Sequence, residues 1–355
     1  VGKGALLRAV PTRLRLLVGT LRFAHPTTQT RGAEGKANMI KKIALEEHFL
    51  SPGFENYWKT TAGEITPDIF QQAVARLGEF GDLRIAQMDR DGIARAVLSI
   101  AGPGVQIERD TAIAVRRAQE SNDFLAREIA KRPDRYSGFA HLPMQDAKAA
   151  AAELERAVRE LGFVGAMING HTNGQYLDHP SLYPFWERAE ALRAVIYLHP
   201  ADPPATMPVL EGTYGLRRAT WEWGVETGSH ALRLVFGGHF DRFPGATLAL
   251  GHLGEMMPYL LWRFDSRARF YGVKLARRPS DYIRENIVMT ISGMYSAEPL
   301  SCAISAVGHN RIMFATDYPF EPPGEASEFI DDVALAEEVR ADICFNNAAR
   351  LLGLQ

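Results

Sequence analysis

The stretch Ile43-Ala44-Leu45-Glu46-Glu47-His48-Phe49 is an apolar run that turns charged at its end. A short run of nearly continuous apolar character is what a strand buried on both faces looks like. Glu46 and His48 are two apart, so on a strand they share a side, while Glu47 faces away. The strand begins at Lys42–Glu46, and runs of the same kind recur at Ala94–Ile100, Tyr136–Leu142, Gly165–Asn169, Ala194–His199, Thr247–His252, Ile287–Ile291 and Ile312–Asp317.

Amphipathic stretches lie between these runs. Residues 68–91 read as one helix, residues 110–132 as another that Pro133 stops, and residues 146–161 as a third with Gly162 just past its end. Further helices are expected near 181–193, 219–240, 255–270, 297–307 and 325–351. Eight strands, each followed by a helix, predict an α/β fold of the (β/α)8 TIM-barrel type. A doubly wound open sheet is the alternative, disfavoured because no strand-linked GxGxxG or GxxxxGK[ST] occurs. Proline- and glycine-rich stretches at 200–215 and 319–324 read as loops over the top of the barrel.

In such a barrel, chemistry sits at the C-terminal ends of the strands. Four candidate strands end in metal-binding side chains: Glu46 and His48 on the first, His199 before Pro200 on the fifth, His252 on the sixth and Asp317 on the eighth. A carboxylate or imidazole at the end of a buried apolar strand needs a partner, and one divalent cation serves several at once. Mixed nitrogen and oxygen ligands suit Zn, Mn, Fe or Mg alike. Glu255, three residues after His252, is placed to orient that imidazole, or to serve as a first-turn helix charge. His141, His230, His239 and His309 read as packing or capping residues, and His171 and His179 as loop residues. Trp221 and Trp223 read as wall or core.

The 355 residues are 46% hydrophobic and 23% charged, with 40 basic against 42 acidic side chains and a net charge of −2. That balance removes the electrostatic case for nucleic acid or an anionic membrane as partner. No apolar run is long enough to span a bilayer. Cys302 and Cys344 are the only cysteines, so a disulfide scaffold is excluded and a reducing compartment, the cytoplasm, is expected. Residues 1–38 stand apart, with Lys3, Arg8, Arg13, Arg15, Arg22, Arg31 and Lys36 against Glu34 alone. They read as a basic leader or upstream extension, expected to be disordered, ahead of a single barrel domain over 39–355.

These residues resemble the amidohydrolase superfamily, and within it the amidohydrolase-2 branch of metal-dependent non-oxidative decarboxylases acting on γ-resorcylate and 2,3-dihydroxybenzoate. The resemblance rests on Ala44-Leu45-Glu46-Glu47-His48-Phe49, Arg132-Pro133-Asp134-Arg135-Tyr136, Gly162-Phe163-Val164-Gly165-Ala166, Tyr197-Leu198-His199-Pro200, Gly251-His252-Leu253-Gly254-Glu255 and Thr316-Asp317-Tyr318-Pro319-Phe320. It implies one divalent metal, zinc or Mn, Mg or Fe, held by Glu46, His48, His199 and Asp317, with His252 beside it and no organic cofactor. Ring-cleavage-pathway relatives and many hydrolases carry His-x-His on the first strand, whereas this chain has Glu46-x-His48. The fourth strand, Gly165–Asn169, lacks the lysine that bridges two metals in other members, so a single metal is implied.

The implied reaction is loss of CO2 from an ortho-hydroxybenzoate in aromatic catabolism, with Asp317 or the His252–Glu255 couple as proton donor. Asn169, Phe320 and Arg263 are the candidate substrate contacts, Arg263 across a subunit interface, since relatives of this branch form dimers or tetramers. The loop 201–218 has its own sequence and is expected to roof the pocket. A hydrolase of a lactone or amide is the alternative function, because the same ligands also serve metal-bound water.

Overall fold

Strand residues of this chain alternate between two cores. Ile43, Leu45, Val97, Phe139, Met167, Val195, Tyr197, Ala249, Val288, Met313 and Ala315 pack together in one cluster. Their neighbours Ala44, Ala96, Leu98, Ala166, Ile168, Ile196, Leu198, Leu248, Leu250 and Phe314 pack in a second cluster with helix residues such as Leu125, Leu154, Phe185 and Ala231. A period of two with both faces apolar gives an inner layer within a barrel and an outer layer between barrel and helices.

The computed structural model describes residues 40–62, 66–212 and 215–354. The basic leader lies outside these residues. The strands are β1 (Lys42–Phe49), β2 (Ile93–Ile100), β3 (Tyr136–Ala140), β4 (Gly165–Asn169), β5 (Val195–His199), β6 (Thr247–Leu250), β7 (Ile287–Thr290), β8 (Ile312–Met313) and β9 (Ala315–Tyr318). Their order is β8-β7-β6-β5-β4-β3-β2-β1-β9, with every pairing parallel. β8 and β9 are two halves of one stave, so the fold is the expected (β/α)8 barrel. The interruption falls at Phe314, whose N–H leaves the ladder to bond Ile343 O at 2.9 Å.

Several boundaries differ from the sequence reading. Residues 68–91 form two helices, Pro67–Leu77 and Asp82–Asp91, because the chain stops at Gly78 and restarts after Gly81. Helices Glu55–Ala62 and Pro279–Asn286 carry no apolar stripe long enough to have been read as such. The segment 325–351 breaks into Glu325–Asp332, Glu337–Ala341, a π-turn and Asn347–Leu352. Among the described residues, no helix is long and apolar enough to cross a membrane.

Candidate active site

The metal-binding residue types converge at one end of the barrel. In Glu46, His48, His199 and Asp317, one ligand atom from each lies within 4.8 Å of all the others. His48 Nε2 is 3.3 Å from Asp317 Oδ1, and His199 Nε2 is 3.6 Å from Glu46 Oε1. Ligands about 2.0–2.2 Å from a shared ion sit roughly 3–4.4 Å from one another, so the spacing fits a single cation.

Hydrogen bonding points the same atoms inward. The His199 Nδ1–H donates to Pro200 O at 2.8 Å, which leaves the Nε2 lone pair free. His48 Nδ1 lies 3.3 Å from Ser99 Oγ, and its Nε2 is buried without a hydrogen bond. Glu46 Oε2 accepts from the hydroxyls of Tyr197 and Ser292, and from Thr290 Oγ1 at 3.4 Å, while Oε1 has no partner. Asp317 Oδ1 is likewise buried and unpartnered. Orphaned acceptors facing one point are costly unless a cation joins them, so these residues fit a divalent metal.

The backbone pays for this convergence with unusual conformations. Ile43 and Leu45 face the inner layer, so strict alternation would turn Glu46 outward. Instead Glu46 has φ +63, and the registers of β1 with β2 and with β9 both shift around it, bringing Glu46 and His48 to the mouth together. Asp317 (φ +55) and His252 (φ +50) are also left-handed. Residues 252–256 form a left-handed turn rather than the start of the expected helix, which begins at Met257. A side-chain carbon at Gly251 would lie 2.9 Å from Glu46 Oε2, so any larger residue would displace that carboxylate. Strained residues grouped in this way mark a functional site.

His252 Nδ1–H donates to Glu255 Oε1 at 2.7 Å, so Glu255 orients the imidazole. His252 Nε2 then faces Asp317 Oδ2 at 3.9 Å. Burial works against a charged His252, but Glu255 and Asp317 outweigh it and raise its pKa well above the ordinary range. Burial alone would raise the Asp317 pKa, yet the neighbouring His252 and His48 imidazoles hold it below the usual carboxylate range. Burial, with His48 nearby, pushes His199 down to about 3, the neutral form a ligand needs.

These residues open into a cavity of about 1230 Å³ whose wall includes Trp58, Trp223, Met294 and Phe320. The Phe320 ring sits 5.5 Å from that of His48. Asn169 ends β4 beside His199, fully buried, with neither amide atom hydrogen-bonded. Arg263 is exposed on the helix Met257–Phe270 and is not among the residues lining the cavity. The 201–218 loop contributes Ala201, Arg217 and Arg218 to the wall. His171 accepts from the Gly174 N–H and bonds Asp202 O of the loop after β5 at 3.1 Å, and His179 bonds Ser181 in its own loop, while His141 and His230 accept from the backbone N–H of Val105 and Leu177. Sequence reasoning missed the hydroxyls on Glu46. Tyr197 is two before His199 and Ser292 two after Thr290, a period-two signal that would have placed them beneath the mouth.

With this geometry in place, the family is clear. A family model described as amidohydrolase matches residues 48–354, and the chain belongs to that family. The γ-resorcylate decarboxylase of Polaromonas sp. is 40% identical over 329 residues, covering 89% of this chain and 99% of that protein. The γ-resorcylate decarboxylase of Rhodococcus jostii is 42% identical over 332 residues, with the same coverage. A Polaromonas dihydroxybenzoic acid decarboxylase crystallised with manganese and 2-nitroresorcinol superposes with a TM-score of 0.83 at 39% identity, over 89% of this chain and 98% of that one.

Proposed function

We infer that this chain catalyses the metal-dependent, non-oxidative decarboxylation of a hydroxylated aromatic carboxylic acid, making it a carbon–carbon lyase. The observation that carries the reading is the set of orphaned ligand atoms on Glu46, His48 and Asp317, beside an imidazole already oriented by Glu255. Relatives across the family's decarboxylases support it.

Loss of CO2 from an aromatic ring without prior protonation would leave an aryl anion. An ortho hydroxyl avoids this by pushing electron density onto the carbon that bears the carboxylate, so that this carbon takes up a proton. The C–CO2 bond then breaks, its electron pair returns to the ring, and the arene reforms. Glu46, His48, His199 and Asp317 would hold one divalent ion, whose charge would draw the substrate's carboxylate and hydroxyl oxygens into place. His252 and Asp317, 3.9 Å apart, form the proton-delivering side, with Glu255 holding the imidazole. Phe320 and Trp58 offer ring faces for the substrate, and Asn169 an unpaired amide for one of its oxygens. No organic cofactor takes part.

The ortho-hydroxybenzoate class, for instance 2,6- or 2,3-dihydroxybenzoate, is the proposed substrate, and Mn or Zn the proposed metal, with Mg and Fe as further candidates. The helix that carries Arg263 also exposes Tyr259 and Trp262, at 82% and 75%. A homodimer or homotetramer would cover that aromatic face and let Arg263 reach a neighbouring site. A panel of hydroxybenzoates assayed for CO2, beside lactones and amides assayed for hydrolysis, tests the assignment. CO2 from the first group supports it, and hydrolysis of the second without CO2 replaces it with the hydrolase reading.

A further inference from the structure

At the seam between β1 and β9, Leu45 pairs with Ala315 and Glu47 with Tyr318. Glu46 alone therefore opposes two residues, Thr316 and Asp317, and a bulge of this kind leaves a strand N–H without its ladder acceptor. The Thr316 N–H donates instead to Glu47 Oε1 at 3.0 Å. The Thr316 hydroxyl lies 2.8 and 2.9 Å from the two Glu47 oxygens. Glu47 is 3% exposed, faces away from the mouth and does not line the cavity. Arg84 backs the same seam from the helix Asp82–Asp91. Its Nη2–H donates to His48 O at 2.9 Å, and its guanidinium lies 4.2 Å from the centre of the Tyr318 ring.

We propose that Glu47 is a positioning residue whose side chain replaces the lost ladder bond and so sets the distance between Glu46 and His48 on one strand and Asp317 on the other. The inference rests on the reading of those three residues as metal ligands. Glu47 stands between two of them in sequence, and Thr316 immediately precedes the third. Glu46 and Asp317 both hold left-handed backbones that an intact ladder would not allow. A side-chain clamp across the bulge keeps both conformations in register, while Arg84 fixes the carbonyl and the ring that flank it. Partners that orient metal ligands in this way are typically worth about 10–100-fold in metal affinity.

The test is Mn2+ binding to the full-length, metal-stripped protein by titration calorimetry, alongside the melting temperature of each metal-free variant. Wild type should bind about one equivalent, and no binding by wild type overturns the metal reading itself. Glu47→Ala should weaken Mn2+ binding by about 10–100-fold. Glu47→Gln keeps an oxygen for the Thr316 N–H and an amide for its hydroxyl, so it should stay within about threefold of wild type. Thr316→Val, which removes one of the two bonds at similar volume, should fall between them, and Thr316→Ser should match wild type. This pair serves if Glu47→Ala does not fold. Wild-type Mn2+ affinity in folded Glu47→Ala, or in Thr316→Val, overturns the clamp while leaving the metal reading intact. An equal loss in Glu47→Gln and Glu47→Ala also overturns it.

Discussion

Two seams of the same barrel are built on opposite principles. β4 and β5 pair without a register shift from Gly165↔Val195 to Asn169↔His199. β1 and β9 touch at two pairs with a bulge between them and left-handed residues on both sides. The regular seam delivers His199 and Asn169 simply because their strands end there. The irregular seam delivers Glu46, His48 and Asp317, three of the four candidate ligands, by breaking alternation. Regular ladder places a side chain every second residue on a fixed face. A metal site needs several side chains at one point, and the bulge supplies the extra turn. A regular seam can place one ligand where its strand ends, but grouping several takes an irregular one, and variants at the two seams should behave differently.

The largest effects are expected at the irregular seam and at the groups that face its ligands. Asp317→Asn removes a ligand charge and part of the proton-delivering pair, and turnover should fall by about 10² or more in a CO2-release assay. His252→Asn should cost a similar factor while elemental analysis finds metal content largely unchanged, since His252 is not in the ligand set. Tyr197→Phe removes one hydroxyl from Glu46, and metal affinity should fall by about tenfold. A loss in Tyr197→Phe as deep as in Asp317→Asn would mean the hydroxyl acts directly rather than through Glu46.

The regular seam should respond in the opposite way. Ile196 is fully buried in the outer layer. Ile196→Ala should lower stability by about 2–4 kcal/mol in urea unfolding, with metal affinity of the folded protein unchanged. The last effect concerns pH, and per pH unit it is the smallest. Burial lowers His141 to about 3, below the 6.5 of an exposed imidazole. The unfolded chain therefore binds the extra proton between these values. Stability should be full above pH 6.5 and decline as pH falls toward 3, by at most about 1.4 kcal/mol per pH unit for this group. His141→Gln should flatten that decline in unfolding curves measured across the range.

How much of this was legible follows from the same contrast. Gly165–Asn169 is a strand in the sequence and in the structure, residue for residue. Glu46 and His48 were placed together by their spacing of two, but nothing local shows that Glu46 must leave the alternation of Ile43 and Leu45 to reach the mouth. That requirement comes from Asp317 and Thr316, some 270 residues away in sequence. The eighth stave reads as one strand because Phe314 is as apolar as its neighbours, and its detour depends on the carbonyl of Ile343. Gly251 and Gly254 signalled close approach around His252, but not the left-handed turn from 252 to 256. Arg263 was singled out by type and spacing, and spacing along a helix does not say which molecule its tip will meet.

Decarboxylation by ring protonation shows itself in the fate of one proton. With an active ortho-hydroxybenzoate in deuterated water, the product should carry a single deuterium on the carbon that held the carboxylate, seen by NMR, with CO2 released in equal amount. That result requires a ring carbon that takes its proton from a group in exchange with water, as the His252–Asp317 pair is proposed to be. CO2 release with no deuterium at that carbon, or a product whose new carboxylate holds oxygen from water, would contradict the account.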